Sequence, residues 1–389
     1  MAALGLYLHI PFCVSKCPYC DFNSYGVGVG QVRNLPPPET ARVSTYLEAL
    51  ARELELRSKE ARGEESGSVF FGGGTPSLLR AEQLGAVLES VRRQFHIKAG
   101  AEVTLEANPG TVTPEKLRRL REAGFNRVSL GVQSFSERLL QTLGRAHTAR
   151  EGREAMAAAR EAGFENLNLD LIFAIPGQSQ REWEETLEEA LKVRPEHISA
   201  YCLTVEEGTR FAELMQRGEL EGVGEEEQLE MWELACRLLE RTGYRQYEIS
   251  NFARPAYECQ HNLIYWRNES YLGLGAGAHS YLEGIRWRNV SSPEEYGRLL
   301  GQGRLPVRGA ERLSRQREMG ETIALGLRLS EGIGGREFAR RFGISLEEAY
   351  GSVPARLEAE GLVRRDGRGL RLTPRGRRVA NEVCLQFIG

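Results

Sequence analysis

Apolar residues fall into six short, dense runs in the first half of the chain. They are "LGLYLHI" from residue 4, "SVFFGGG" from 68, "EVTLEA" from 102, "RVSLGVQ" from 127, "NLNLDLIFAI" from 166 and "HISAYCL" from 197. Several lack the strict alternation of a half-exposed strand, which predicts parallel strands covered on both faces. Between them apolar positions recur at helical spacing, as in "TYLEALARELELR", "AEQLGAVLESVRRQF" and "TPEKLRRLREAG". In the last, Thr113 is placed to cap a helix, Pro114 to open it and Gly124 to close it. "REAGFNRVSLGV" at 121 and "REAGFENLNLDL" at 160 repeat one helix-end, glycine, strand unit. Such repetition predicts right-handed crossovers and a parallel sheet. Six units fall short of the eight of a closed barrel. The expected fold is α/β, a partial (β/α)6 barrel, with a flat doubly wound sheet as the rival.

The pattern then changes twice. Residues 206–305 are less regular, with one strong helix in "EEEQLEMWELACRLLERTGY" whose first turn carries acids that favour the dipole. From 306 to 389 three helical stretches, "SRQREMGETIALGLRL", "GGREFARRFG" and "SLEEAYGSVPARLEAEG", precede a hairpin pattern, "LVRRDGRGLRLTP". That order predicts a C-terminal winged-helix-like α+β domain. The expected domains are 1–205, 206–305 and 306–389.

Composition changes this picture little. A net charge of −3 gives no global pull toward nucleic acid or membrane. The tail from 301 is locally basic, with 17 Arg against 11 acids. Yet none of its helices gathers basic residues with base-reading Asn or Gln, so no nucleic-acid partner is expected. No run reaches the roughly 20 apolar residues of a membrane span, and the start lacks the basic region of a signal peptide. Seven cysteines, four of them scattered, argue against a disulfide framework and for a reducing, cytoplasmic setting.

The other three, Cys13, Cys17 and Cys20, crowd "PFCVSKCPYCDF" directly after the first strand. A zinc ion could take them with His9 as a fourth ligand. An iron–sulfur cube suits one short loop better, because the loop can wrap three corners and leave the fourth iron open. Chemistry-bearing residues also gather at the other strand ends, where parallel barrels place their sites. Tyr7 and His9 alternate onto one face of the first strand. "GGGTPS" (72–77) is either a turn or a place where backbone approaches a ligand. Glu106 and Asn108, then Gln133, then Asp170 follow at successive strand ends, and a polar residue in such an apolar run must find a partner.

The cysteine loop resembles that of the radical S-adenosylmethionine (SAM) superfamily. This resemblance implies a [4Fe–4S] cluster on Cys13, Cys17 and Cys20, with SAM on the open iron and an electron donor to reduce the cluster. It implies SAM contacts from Tyr7, Gly73, Gly74, Thr75, Glu106, Gln133, Arg145 and Asp170, and places Tyr19 in the loop as a shield. Arg145 in "LGRAHT" can meet a carboxylate bidentately; the alternative is a solvated helix-end arginine.

Within the superfamily nearly the whole chain resembles proteins related to oxygen-independent coproporphyrinogen oxidase, and among these the haem-chaperone branch of the HemW type. Two departures disfavour the oxidase. Its loop continues as Cys-x-Cys where this chain has Phe22, and it carries a long segment before the cysteines where only twelve residues stand here. In "ECQHNLIYWRNE", His261, Asn262, Tyr265 and Trp266 match the branch's haem motif. Imidazole is a good axial ligand to haem iron, and Tyr and Trp can cover a macrocycle. Cys259 is a softer alternative ligand, Arg267 a propionate partner and His279 a second histidine candidate. The resemblance implies a chaperone that binds haem and passes it to apo-haemoproteins of the respiratory membrane, meeting the membrane through partners. The alternative is a radical SAM oxidoreductase acting on a porphyrinogen.

Overall fold

The structure, a computed structural model, describes residues 4–27, 37–60 and 63–388, without the side chains of 37–40. Residues 1–3, part of the start read above, lie outside the described residues.

Six strands form the body: β1 (Leu4–Ile10), β2 (Glu65–Gly73), β3 (His96–Ala107), β4 (Arg127–Gln133), β5 (Leu167–Phe173) and β6 (His197–Cys202). They pair in parallel and lie side by side in chain order. A doubly wound sheet needs a point where strand order reverses. None exists across these six, so the partial barrel holds and the flat rival falls. The barrel stays open because both edges are extended rather than joined. Beside β1 lie Tyr271–Leu274 in parallel, then His279–Leu282, Ile285–Asn289 and Val307–Arg312 in antiparallel order. Beyond β6 come Asn251–Ala253 and Arg245–Gln246.

Alternation along each strand divides two environments. On β1, Leu6, Leu8 and Ile10 are fully buried in the main core, with Leu50, Leu54, Leu84 and Leu88 of the covering helices. Tyr7 and His9 face the other way, into the barrel. The helices end where local chemistry ends them. Thr113 accepts a hydrogen bond from Lys116 N, Pro114 opens the helix, and Gly124 closes it at φ 105°.

The tail has its own core, from Met319 to Phe387. Helix Arg315–Gly326, strand Ile333–Gly334, helices Gly335–Phe342, Leu346–Tyr350 and Val353–Ala359, and hairpin Val363–Asp366/Gly369–Leu372 follow in a winged-helix order. One assignment shifts. Val307–Arg312, read above with the tail, is the edge of the large sheet.

Candidate metal and cofactor site at the barrel mouth

The loop after β1 returns over the carboxyl ends of the strands and is pinned there by backbone. Gly74 N donates to Ile10 O at 2.9 Å and Thr75 N to Phe12 O at 2.8 Å. This explains the glycines. A Cβ on Gly74 would lie 2.8 Å from Phe12 O, and one on Gly73, at φ 111°, would enter the His9 ring. Gly73 N is taken as well, donating to Glu106 Oε2 at 3.2 Å. All three amides are therefore engaged within the protein, and the turn's first role is to hold the cysteine loop close.

Cys13, Cys17 and Cys20 are free thiols that line one cavity of about 350 Å³ with Tyr19, Gly73, Gly74, Thr75, Glu106, Asn108, Gln133, Arg145 and Asp170. That volume is in the range of small-molecule sites. Thr75 Oγ1 donates to Cys13 Sγ and Arg145 Nη1 to Cys17 Sγ, both at 3.5 Å. Burial raises the Cys13 and Cys20 thiols, so a cationic or metal partner is what would favour their thiolates.

Arg145 is no solvated helix end. Its guanidinium also donates to Gly131 O at 2.9 Å and to Asn108 Oδ1 at 2.5 Å. Its buried Nε has no partner. Asp170 accepts from Ser129 Oγ at 2.7 Å and Asn168 Nδ2 at 2.9 Å, which answers how a carboxylate sits in an apolar run. Glu106 is raised to about 8 by burial first and the neighbouring Asp170 second. Gln133 stands at φ 64° where the strand register shifts, and its buried Oε1 lacks a partner. A strained residue with an orphaned acceptor at a cavity is a mark of a ligand position.

His9 does not join this set. Tyr7 OH donates to its Nδ1 at 3.0 Å and its Nε2–H donates to Asn23 O at 2.8 Å. Tyr7 lies beneath, its ring beside those of Phe70 and His261. Both ring nitrogens of His9 are thus engaged, and it is not placed as a fourth ligand beside the thiols. Among the described residues no three Cys, His, Asp or Glu donors converge on one ion-sized point. Ligands of a single zinc must converge, whereas ligands on separate corners of a cube need not. Three thiols around one cavity, a buried cation at Cys17 and an orphaned acceptor fit a cluster with a small polar molecule beside it.

Sequence reasoning missed part of the wall. Tyr201, Cys202, Leu203, Thr204 and Glu206 line the cavity from the end of β6, and Ser129 and Gly131 from β4. The rule that directed attention to five strand ends applies equally to the sixth.

The motif of His261, Asn262, Tyr265 and Trp266 lies elsewhere. Helix Gln260–Trp266 precedes the strand that runs parallel to β1, so it closes the barrel at the end opposite the cysteines. Glu102, pointing in from β3, caps it by accepting from Gln260 N at 3.1 Å and His261 N at 3.2 Å. Cys259 Sγ donates to the same carboxylate at 3.4 Å. The His261 ring enters the interior, only 1% exposed. Its Nδ1 is 2.8 Å from Ser68 Oγ and its Nε2 2.8 Å from Tyr265 OH. Burial, then the Arg127 charge, lowers it to about 3. Trp266 packs with Tyr247, Leu263 and Leu329 beneath Arg328. An imidazole open to a haem iron is therefore not what this conformation presents. Arg267, expected to meet a propionate, pairs with Glu331 at 3.0 Å.

A family model described as the radical SAM superfamily matches residues 7–190, and one described as the HemN C-terminal domain matches 313–379. The protein named heme chaperone HemW of Bacillus subtilis is 38% identical over 98% of this chain and 98% of its own. The Mycobacterium tuberculosis protein of that name is 38% identical over 99% of this chain and 95% of its own. Among solved structures, the radical SAM enzyme coproporphyrinogen III oxidase (HemN) of Escherichia coli superposes with a TM-score of 0.84 over 99% of this chain and 90% of that one. At 23% identity that likeness speaks for the fold alone.

Proposed function

Because the chain belongs to the HemW family within the radical SAM superfamily, we propose that it binds haem and hands it to apo-haemoproteins. The observation that carries this reading is the end-to-end match, at 38% identity, to relatives named heme chaperones. Phe22, in place of a further cysteine, sets the loop apart from the oxidase pattern.

At the mouth, Cys13, Cys17 and Cys20 would hold a [4Fe–4S] cluster and leave one iron open to SAM. When bound, the pair supplies an electron-accepting sulfonium beside a reducible cluster. Around it Arg145 offsets the negative charge of the thiolates. Glu106 and Asp170 are placed to accept hydrogen bonds from the amino group of SAM, while the carbonyls of the glycine turn, its amides being engaged, add acceptors. Gln133 offers its unpartnered Oε1 to a donor on the ligand, and Tyr19 shields the cluster. By analogy with the family, the acceptors of haem would be respiratory haemoproteins, and a protein electron donor would serve the cluster.

His261, Asn262, Tyr265 and Trp266 form the second element. His261 is held by Ser68 and Tyr265, so it meets haem only after those hydrogen bonds open. Uptake on this motif is therefore a slow step that follows a first contact elsewhere.

The test uses anaerobically reconstituted protein. Loaded with haem and mixed with an apo-haemoprotein, it should restore the acceptor's haem spectrum. A protein that binds no haem and instead decarboxylates coproporphyrinogen with SAM and reductant would replace this reading with the oxidase.

A further inference from the structure

Among the described residues one histidine is presented to solvent at the mouth, and it is not His261. His279 opens the strand His279–Leu282 and is exposed. Among the described residues nothing donates to its ring and no ion pair holds it. The neighbouring strand places Arg288 directly across from it, also exposed and without an ion pair. Cross-strand partners share one face of a sheet, so imidazole and guanidinium project side by side. Arg286, two residues away, is already paired with Glu311 and Glu321.

The cysteine loop borders this edge. Asn23 Nδ2 donates to Ala276 O at 2.9 Å and to Ser291 O at 3.0 Å, tying the loop to the turn that leads into His279. A Cβ on Gly277 would strike the Asn23 side chain at 2.4 Å, so that contact is close throughout. Next to Asn23 stands Phe22, 63% exposed and lining the cysteine cavity. The strand edge therefore carries an accessible imidazole and an unpaired cation, and the loop that borders it carries an uncovered phenyl ring. Partial burial, then Arg288 and Arg286, lower the imidazole, and the neutral ring is the form that binds iron.

We propose that His279, with Arg288 and Phe22, is a haem-capture site on the rim of the barrel mouth. Its imidazole lone pair bonds to ferric haem iron in place of water, Arg288 meets a propionate, and Phe22 lies against the macrocycle. The inference rests on the haem reading above and extends it. A chaperone needs an exposed ligand for first contact, and the motif histidine is shut inside the barrel.

Stopped-flow mixing of ferric haem with reconstituted protein tests it, with the Soret band as readout. Wild type should show a fast phase followed by a slow one. His279→Ala should weaken the fast phase at least tenfold, while His261→Ala keeps it and loses the slow one. Arg288→Ala should speed haem release about threefold, the loss of one exposed ion pair of about 0.6 kcal/mol. A fast phase unchanged in His279→Ala, or lost only in His261→Ala, overturns the proposal. A wild type without any Soret change removes the haem reading itself. His279 is a surface residue, so the variant's fold is checked by its unchanged cluster absorbance.

Discussion

Ser68 Oγ and His261 Nδ1 lie 2.8 Å apart inside the barrel, although 193 residues separate them in the chain. That bond, with the one from Tyr265, decides how the motif histidine can act. Ser68→Ala removes one latch and leaves the ring nitrogen without a partner in the closed form. A hydrogen bond of this kind contributes about 1 kcal/mol net, so opening should become about fivefold more favourable. The slow phase of haem uptake should quicken by that factor in stopped flow. An unchanged slow rate would mean that release of His261 does not limit uptake.

Affinity for SAM should depend on pH through Glu106. In the free protein this carboxyl is raised to about 8 by burial and by Asp170, so below that pH it is mostly protonated. An amino group that donates to Glu106 favours the carboxylate and expels the proton. Affinity should then fall about tenfold per pH unit as pH drops from 8 toward 6. Isothermal titration in two buffers of different ionisation heat measures the released proton directly. Glu106→Gln should bind SAM weakly and with a slope shallower by one proton; a wild-type slope no steeper than the variant's would deny Glu106 that contact.

Gly74→Ala tests the packing of the cysteine loop. The added methyl would press on Phe12 O at 2.8 Å and Pro11 C at 2.9 Å, which are backbone atoms that no rotamer change can clear. Overpacking of this kind costs about 1–3 kcal/mol, and the loop, held by two backbone bonds, is what yields. Reconstituted iron content should fall by more than half while far-ultraviolet circular dichroism stays the same. Full iron content would show that the loop tolerates displacement.

Much of the frame was legible because its signals are local. The run Arg127–Gln133 is a strand with the predicted bounds, and Thr113, Pro114 and Gly124 cap their helix as their spacing predicts. The cysteine loop announces itself by density alone. What was hidden depends on distant partners. Nothing near His261 in the chain indicates that Ser68 and Glu102 will close over it. The amides of "GGGTPS" look free for a ligand until the loop from Ile10 to Phe12 folds back onto them. Val307–Arg312 is exposed along its length and rich in arginine. It has no apolar alternation, so only its pairing with Ile285–Asn289 reveals a strand. Asn108 gains its role from bridging Thr75 and Arg145, two other segments of the chain.

The central claim is that three thiolates hold a cluster with one iron left for an outside ligand. Electron–nuclear double resonance on the reduced, reconstituted protein tests it most directly, using SAM labelled with nitrogen-15 at its amino group. The account predicts a cluster signal that couples to the labelled nitrogen, and its loss in Cys17→Ala. A fully loaded cluster with no coupling to the label would contradict it.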